Sequence, residues 1–429
     1  MKFIRDSIGT FAAQATVFLS KFFTGIITAR VLGPEGKGVY TIVILVYTVA
    51  TLIGNFGIGN ANVYLIGRRK LKTEEVVTNS LFLSLVIGIG IIFLFWGTHS
   101  YLENSVFQNV EPRFLYTIII TTPFALMVLY LGNIFQAMDQ FVKFNVVEVL
   151  RAGTRLILIA AALLALKLGV LGAVESWVIA EIAAAGFALY LLLKILSPKW
   201  KLNLNGIKST LSFGLRSYAE LFFLYLNYQI DMIMVAYFTE PKQVGYYSIA
   251  FAISRMILIL PTSIGIVLYP KLSTFPEQKG DEFTALVCRH IVFIIVLILL
   301  IIGIFSTSII KLLYGTAFLP SVTSLLILLP GTLAISIYKQ LTRNFLSRGK
   351  PQWGAYLSII GLAIAISLDV LLIPRYGIAG GAFASSISFI TMSIGALYLF
   401  TKTSRVPLLN TLFITPRDVK FYSQKVGLR

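Results

Sequence analysis

Between Ile8 and Lys402 the chain is one apolar stretch after another, separated by short connections that carry Pro, Gly or charge. At 1.5 Å of rise per residue, about 20 apolar residues in a helix cover a hydrocarbon core roughly 30 Å thick. Stretches of that length fall near 8–33, 37–67, 76–98, 114–138, 142–167 and 170–196, and again near 207–239, 243–270, 284–312, 317–347, 352–373 and 377–402. The first is too long for a signal-peptide core of about 7–15 residues, and Gln14 and Lys21 interrupt it. It therefore reads as a span, and the count predicts twelve transmembrane helices.

The composition excludes the alternatives. With 57% apolar and 13% charged residues, the chain lacks the polar surface of a soluble domain, in which about 25% of residues are charged. Its 32 Phe and 20 Tyr come without any low-complexity polar tract, so disorder fails too. The single cysteine, Cys288, rules out an internal disulfide, and His99 and His290 lie far apart, which speaks against a histidine metal centre.

Lys and Arg number 36 against 18 Asp and Glu, for a net charge of +18. In a soluble protein that excess would suggest nucleic acid; in a membrane chain it reports orientation, because cytoplasmic connections collect Lys and Arg. The cations do fall mostly on alternate connections: the N-terminus, 68–72, 194–208, 271–289, 339–350 and the tail after Lys402. Arg30, Lys37, Arg113, Lys167 and a few others fall between them. This alternation predicts a multi-pass protein of the cytoplasmic membrane with both termini inside. Lys339 and Arg343 are counted here with the inner connection. The outer connections are short, the longest near Thr98–Arg113, so no extracytoplasmic domain is expected.

The halves repeat. Ala29, Pro34, Gly38 and Tyr40 return as Ala236, Pro241, Gly245 and Tyr247 at a constant offset of 207 residues. Gly169, Gly172, Tyr190 and Lys194 return as Gly377, Gly380, Tyr398 and Lys402 at an offset of 208. A six-span repeat preserves orientation, so the expected fold is an all-α membrane protein of two parallel six-helix repeats around a central cavity. The N-lobe is placed at 1–196, a cytoplasmic linker at 197–206, the C-lobe at 207–402 and a basic cytoplasmic tail at 403–429. Pro34 and Pro241 suit tight outer turns, and Gly38 and Gly245 suit close packing.

Ionisable residues at bilayer depth cost at least about 2.5–3.5 kcal/mol on insertion scales, so each calls for a partner or a function. Lys21, Arg151, Arg155, Arg216 and Arg255 lie about 12–20 Å from their span ends, as do Glu148, Glu181, Glu220, Asp231 and Asp369. Glu148 with Arg151 and Arg216 with Glu220 have the spacing of pairs on one helical face. Lys21, Arg255, Glu181, Asp231 and Asp369 have no opposite charge within a turn. Each must form an ion pair across helices, reach water or change protonation. Tyr218, Phe222, Tyr225 and Tyr228 recur at three- and four-residue spacing, which suits packing or the wall of a sugar-lined cavity. The small residues around Gly380 and Ser385 suit close helix packing.

The block Ala29-Arg-Val-Leu-Gly-Pro-Glu-Gly-Lys-Gly-Val-Tyr40 resembles the first-turn signature of the polysaccharide transporter family, the Wzx-like oligosaccharide-lipid flippases. Asp231 ahead of Val244-Gly-Tyr-Tyr247, and Leu372-Ile-Pro-Arg-Tyr-Gly-Ile-Ala-Gly-Gly381, extend the resemblance over nearly the whole chain. The wider superfamily also holds multidrug antiporters and the peptidoglycan-precursor flippase. The resemblance implies alternating-access export of a polyprenyl-diphosphate-linked oligosaccharide for surface polysaccharide synthesis, with membrane lipid around it and no nucleic acid. A polysaccharide polymerase or glycosyltransferases of the same pathway are the implied protein partners.

A diphosphate needs cations, and Arg binds phosphate oxygens bidentately while Lys acts as a point charge. The implied diphosphate ligands are Lys21 and Arg255, on the spans where the related peptidoglycan flippase has implicated cations, then Arg216, with Arg30 at an outer gate. That flippase also pairs acids on spans seven and eleven with a hydroxyl of span twelve. Asp231 and Asp369, with Ser385 or Ser386, match this pattern and would hold Na⁺ or a proton for coupling. A structural Asp–Arg pair is the competing reading. No organic cofactor and no other metal is expected.

Two further functions are weighed. A multidrug-type cation antiporter needs net acid in its cavity, whereas Lys21, Arg216 and Arg255 favour an anion. A membrane glycosyltransferase or ligase needs a catalytic acid or base at a membrane face, and Glu35, Glu103, Glu111 and Glu240 are scattered. No Walker A loop is present, so the chain does not power itself with ATP. A non-enzymatic transporter is expected.

Overall fold

The computed structural model describes residues 2–105, 110–197, 200–415 and 418, with the backbone alone at 2–8, 99–105, 219–220, 266–267, 269–271 and 273. Among the described residues every regular element is a helix. The chain forms two compact units, residues 1–222 with 240–245, and residues 223–239 with 246–429.

Unit 1 opens with α1 (Lys2–Gly54), which bends at Gly33, where φ is 67° and only glycine is comfortable, and resumes at Pro34. The stretch expected at 37–67 is therefore split differently: α1 carries it to Gly54, a left-handed Gly57 intervenes, and α2 (Ile58–Gly67) finishes it. Next come α3 (Thr73–Ser105), α4 (Pro112–Ile119) and α5 (Thr122–Ala137). Then α6 (Phe141–Ala160) runs into a π turn (Ala161–Ala165), and α7 (Gly169–Leu193) follows.

The long α8 (Leu204–Phe238) begins in unit 1 and continues in unit 2, as does α9 (Pro241–Ile257). Unit 2 adds α10 (Ile259–Thr274), α11 (Glu277–Leu313), a 3₁₀ turn (Thr316–Phe318), α12 (Ser321–Ser347), α13 (Pro351–Tyr376), α14 (Ile378–Ser404) and the short α15 (Leu408–Leu412).

Ten helical stretches among the described residues are long and apolar enough to cross a membrane. The chain is thus an all-α, multi-pass membrane protein. The stretch Gly9–Gly54 counts once although its 46 residues span about 69 Å, and α6, carrying Lys143, Glu148, Arg151 and Arg155, is not among the ten.

Lipid tails are as apolar as leucine, so helices hold together through small residues and interhelical hydrogen bonds. In unit 1, Ala184, Ala185 and Ala188 of α7 join Leu131 and Phe135 of α5 in one buried cluster. Also in unit 1, Gly38 and Gly245 face each other's chain segments. A methyl group added at Gly38 would fall on the Pro241 carbonyl, and one at Gly245 on that of Pro34. In unit 2, Ser388 donates to the Gly361 carbonyl at 2.7 Å, and Tyr338 to that of Gly354 at 2.9 Å. Gly380 packs directly on the backbone of Leu372. These are close approaches that bulkier side chains would prevent.

Candidate functional site

Two clusters of buried charge stand out, one in each unit. In unit 1, Arg151 and Arg155 lie one turn apart on α6 and converge on Glu181 of α7. Arg151 Nε donates to Glu181 Oε1 at 2.9 Å, Arg155 Nη2 ends on the same oxygen, and Glu148 lies 3.5 Å from Arg151. Arg151 Nη2 also donates to the Tyr47 hydroxyl at 2.6 Å, and the Arg155 guanidinium stacks 3.4 Å above Trp177. The Glu148–Arg151 pair is the one its spacing predicts. Glu181, without a partner on its own helix, pairs across helices.

Lys21 is exposed on α1 and lies within electrostatic range of Arg151, Arg155, Glu148 and Glu181. Three cations, Lys21, Arg151 and Arg155, thus face two acids, leaving a net positive charge. Arg30 is exposed one turn before Gly33.

Arg216 sits elsewhere. It is exposed on the unit 1 part of α8, where its Nη2 donates to Ser212 Oγ at 2.8 Å. The expected partner Glu220 has its side chain outside the described residues. In the same stretch Tyr218 is a packing residue, buried with its hydroxyl donating to the Leu52 carbonyl at 3.0 Å.

In unit 2, Arg255 of α9 lies in an aromatic cage. Its guanidinium carbon is 4.1 Å from the ring centre of Tyr228, 4.6 Å from Phe251 and 5.5 Å from Phe389. Arg255 Nη2 donates to the Tyr228 carbonyl at 3.3 Å. Lys339 of α12 shares the Tyr228 ring, at 5.4 Å, and its ammonium donates to Thr262 Oγ1 at 2.8 Å. Arg343, one turn further on, is close enough to Lys339 for their charges to interact.

Lys339 and Arg343 therefore belong inside α12 rather than to the connection after it, with Lys339 about 12 Å from the helix end. Among the described residues none of these three cations forms an ion pair within 4 Å. Aromatic faces and neutral oxygens hold Arg255 and Lys339 in place, and Asp231 lies within electrostatic range of Arg255.

Beside them, Asp231 of α8 and Asp369 of α13 are buried and close enough to interact electrostatically. Ser385 Oγ of α14 donates to Asp231 Oδ2. Ser386 does not join them, because its hydroxyl turns away to the Ile327 carbonyl at 2.6 Å. Among the described residues both Asp369 oxygens and Asp231 Oδ1 have no hydrogen-bond partner. Tyr247 lies within electrostatic range of both aspartates and was not singled out in the sequence. A buried oxygen set with too few donors is suited to a hard cation or to carrying a proton. Among the described residues no group of three or more His, Cys, Asp or Glu could hold a metal ion.

Residues 3–275 match the family model described as "Polysaccharide biosynthesis protein". A protein of Shigella flexneri named "Putative O-antigen transporter" is 23% identical over 406 residues, covering 88% of this chain and 93% of its own. Among solved structures, the inward closed conformation of lipid II flippase MurJ superposes with a TM-score of 0.79 at 17% identity, over 95% of this chain and 89% of the other. An inward-facing multidrug resistance MATE family transporter of the MOP superfamily superposes with a TM-score of 0.71 at 16% identity, over 90% and 96%. Apolar helices long enough to cross a membrane and a family match over more than half of the chain agree: this protein belongs to the polysaccharide biosynthesis protein family, as a Wzx-like membrane transporter.

Proposed function

We propose that the protein translocates a polyprenyl-diphosphate-linked oligosaccharide across the cytoplasmic membrane by alternating access. The observation that carries this reading is the Arg255–Lys339–Arg343 cluster, three cations on membrane-length helices, none of which forms an ion pair within 4 Å among the described residues. A diphosphate supplies the oxygens that such a cluster lacks. Arg255 would clamp it bidentately, and Lys339 and Arg343 would add point charge and reach. Lys21 would offer the matching charge on unit 1, where Glu181 engages Arg151 and Arg155. Tyr225, exposed on α8, is available for sugar stacking.

Counting α1 as two spans at Gly33, and admitting the charged α6, brings the ten apolar stretches to twelve. This supports the reading of two parallel six-helix repeats with both termini cytoplasmic. Asp231, Asp369, Ser385 and Tyr247 form the proposed coupling site for Na⁺ or a proton. Occupancy that differs between the inward- and outward-facing states would shift the population between them.

The shared fold with a multidrug transporter keeps cation export as the second reading. Unpaired Arg255 and Lys339 oppose it, since a lipophilic cation would meet like charge. Protein reconstituted in liposomes and given a fluorescent lipid-linked oligosaccharide or a cationic dye separates the two. The proposal requires transport of the first and is lost if only the dye moves.

A further inference from the structure

We infer that unit 1 carries a second anion site, in the cleft between α2 and α8, which holds the phosphate ester headgroup of an anionic bilayer lipid. The cleft encloses about 480 Å³, within the range of small-ligand sites. Its two cations come from distant parts of the chain: Lys70 from the turn after α2 and Arg216 from α8. Ser209 and Ser212 line the same face of α8 as Arg216. Among the described residues no carboxylate lines the cleft.

Both cations rest on neutral oxygens. Lys70 Nζ donates to the Tyr64 hydroxyl at 3.0 Å and Arg216 Nη2 to Ser212 Oγ at 2.8 Å. An ammonium has three donors and a guanidinium five, so most remain free for phosphate oxygens. The carboxylate of Glu75 on α3 is engaged by Asn203 Nδ2 at 2.9 Å.

The walls are preformed. Tyr64 and Phe213 stack in parallel, 4.1 Å between ring centres and 5° between planes. Below them the backbones touch: Gly57 has φ 69°, and a methyl group there would fall on the Gly214 carbonyl. A ligand therefore binds without first ordering the helices.

Inorganic phosphate would satisfy the cations and leave the apolar wall of Phe213 and Leu71 bare. A phosphate ester on an acylated glycerol uses both. The position suits this source, since Lys70 belongs to the basic run 68–72, which the charge pattern puts at the inner membrane surface, where anionic headgroups lie. The site shares no residue with the Arg255 cluster, and its reading does not depend on what the protein transports.

Native mass spectrometry of the full chain, released from nanodiscs of phosphatidylglycerol and phosphatidylcholine, tests the inference. One retained phosphatidylglycerol is expected, preferred over phosphatidylcholine by about tenfold, with a similar loss in each of Lys70→Gln and Arg216→Gln. Ser212→Ala, which keeps both charges, should retain the lipid more strongly than either. Equal retention of the two lipids, or unchanged retention in the Lys70→Gln/Arg216→Gln double variant, overturns the site. Displacement of the lipid by millimolar inorganic phosphate overturns the lipid assignment in favour of a free anion. Retention is read without transport, so it can fail while the flippase reading stands, and the reverse.

Discussion

Arg151 Nε on α6 lies 2.9 Å from Glu181 Oε1 on α7, and Arg155 reaches the same oxygen. One fully buried carboxylate thus bridges two guanidinium groups on neighbouring turns, with Glu148 also beside Arg151, and unit 1 is held together by charge as well as by packing. Removing one member of a buried ion pair costs about 3–5 kcal/mol, because its partner is left uncompensated.

Glu181→Gln should lower the thermal midpoint of the purified protein far more than a surface substitution does. Adding Arg155→Met in that background should recover part of the loss, since it removes a stranded charge. If the second change destabilises further, the cluster is held by packing on Trp177 and not by its charges.

At the Gly38–Gly245 crossing there is no room for a Cβ on either side. Gly38→Ala or Gly245→Ala must push the Pro34 and Pro241 segments apart. A cysteine placed at Glu240 should then react with a membrane-impermeant maleimide several-fold faster than in the parent protein. Unchanged labelling would mean that the crossing relaxes without opening.

Among the described residues, Asp231 and Asp369 leave three carboxylate oxygens without donors. If they hold the coupling ion, Asp369→Asn should abolish the dependence of transport on a Na⁺ or proton gradient while lipid-linked substrate still binds. Ser385→Ala, which removes the hydroxyl donor to Asp231, should weaken the dependence, and Ser386→Ala should leave it intact. Full gradient dependence in Asp369→Asn would remove the coupling role.

The tail is pinned by Asp418. Desolvation would raise its carboxyl, but hydrogen bonds from Arg289, at 2.6 Å, and from Thr415 outweigh it and hold the group well below the usual carboxylate range. A depressed value stabilises docking above the unfolded pKa of about 3.9, and the contribution fades as pH falls through the folded value. Hydrogen exchange over residues 408–415 should be slow from pH 7 to about 5 and faster toward pH 3, after correction for intrinsic rates. Asp418→Asn should show the faster exchange already at pH 7.

The helices were legible in the sequence because lipid demands about 20 apolar residues per crossing, and that demand leaves a plain trace. Glu181 was legible as a charge in need of a partner, while its partner was not, since only packing decides which neighbouring helix faces it. Lys339 and Arg343 were misplaced because cations near a span end read as loop charges. Their signal was a polar stripe on α12, with Thr332, Ser336, Lys339, Gln340 and Arg343 at helical spacing. Tyr247 was visible only as a repeat of Tyr40, and nothing in its spacing placed a hydroxyl beside two aspartates. The split of the second stretch at Gly57 followed from a close backbone approach to Gly214, which hydropathy does not register.

The central claim is that the cations around Tyr228 receive a diphosphate. Its most direct measurement is the rate at which proteoliposomes flip a fluorescent polyprenyl-diphosphate oligosaccharide, for the parent protein, Arg255→Gln and Lys339→Gln. Losing a charged hydrogen bond to the transported group should slow flipping by about tenfold or more in each variant, with Arg255→Lys in between and folding unchanged. Parent-like rates in both Arg255→Gln and Lys339→Gln would contradict the account.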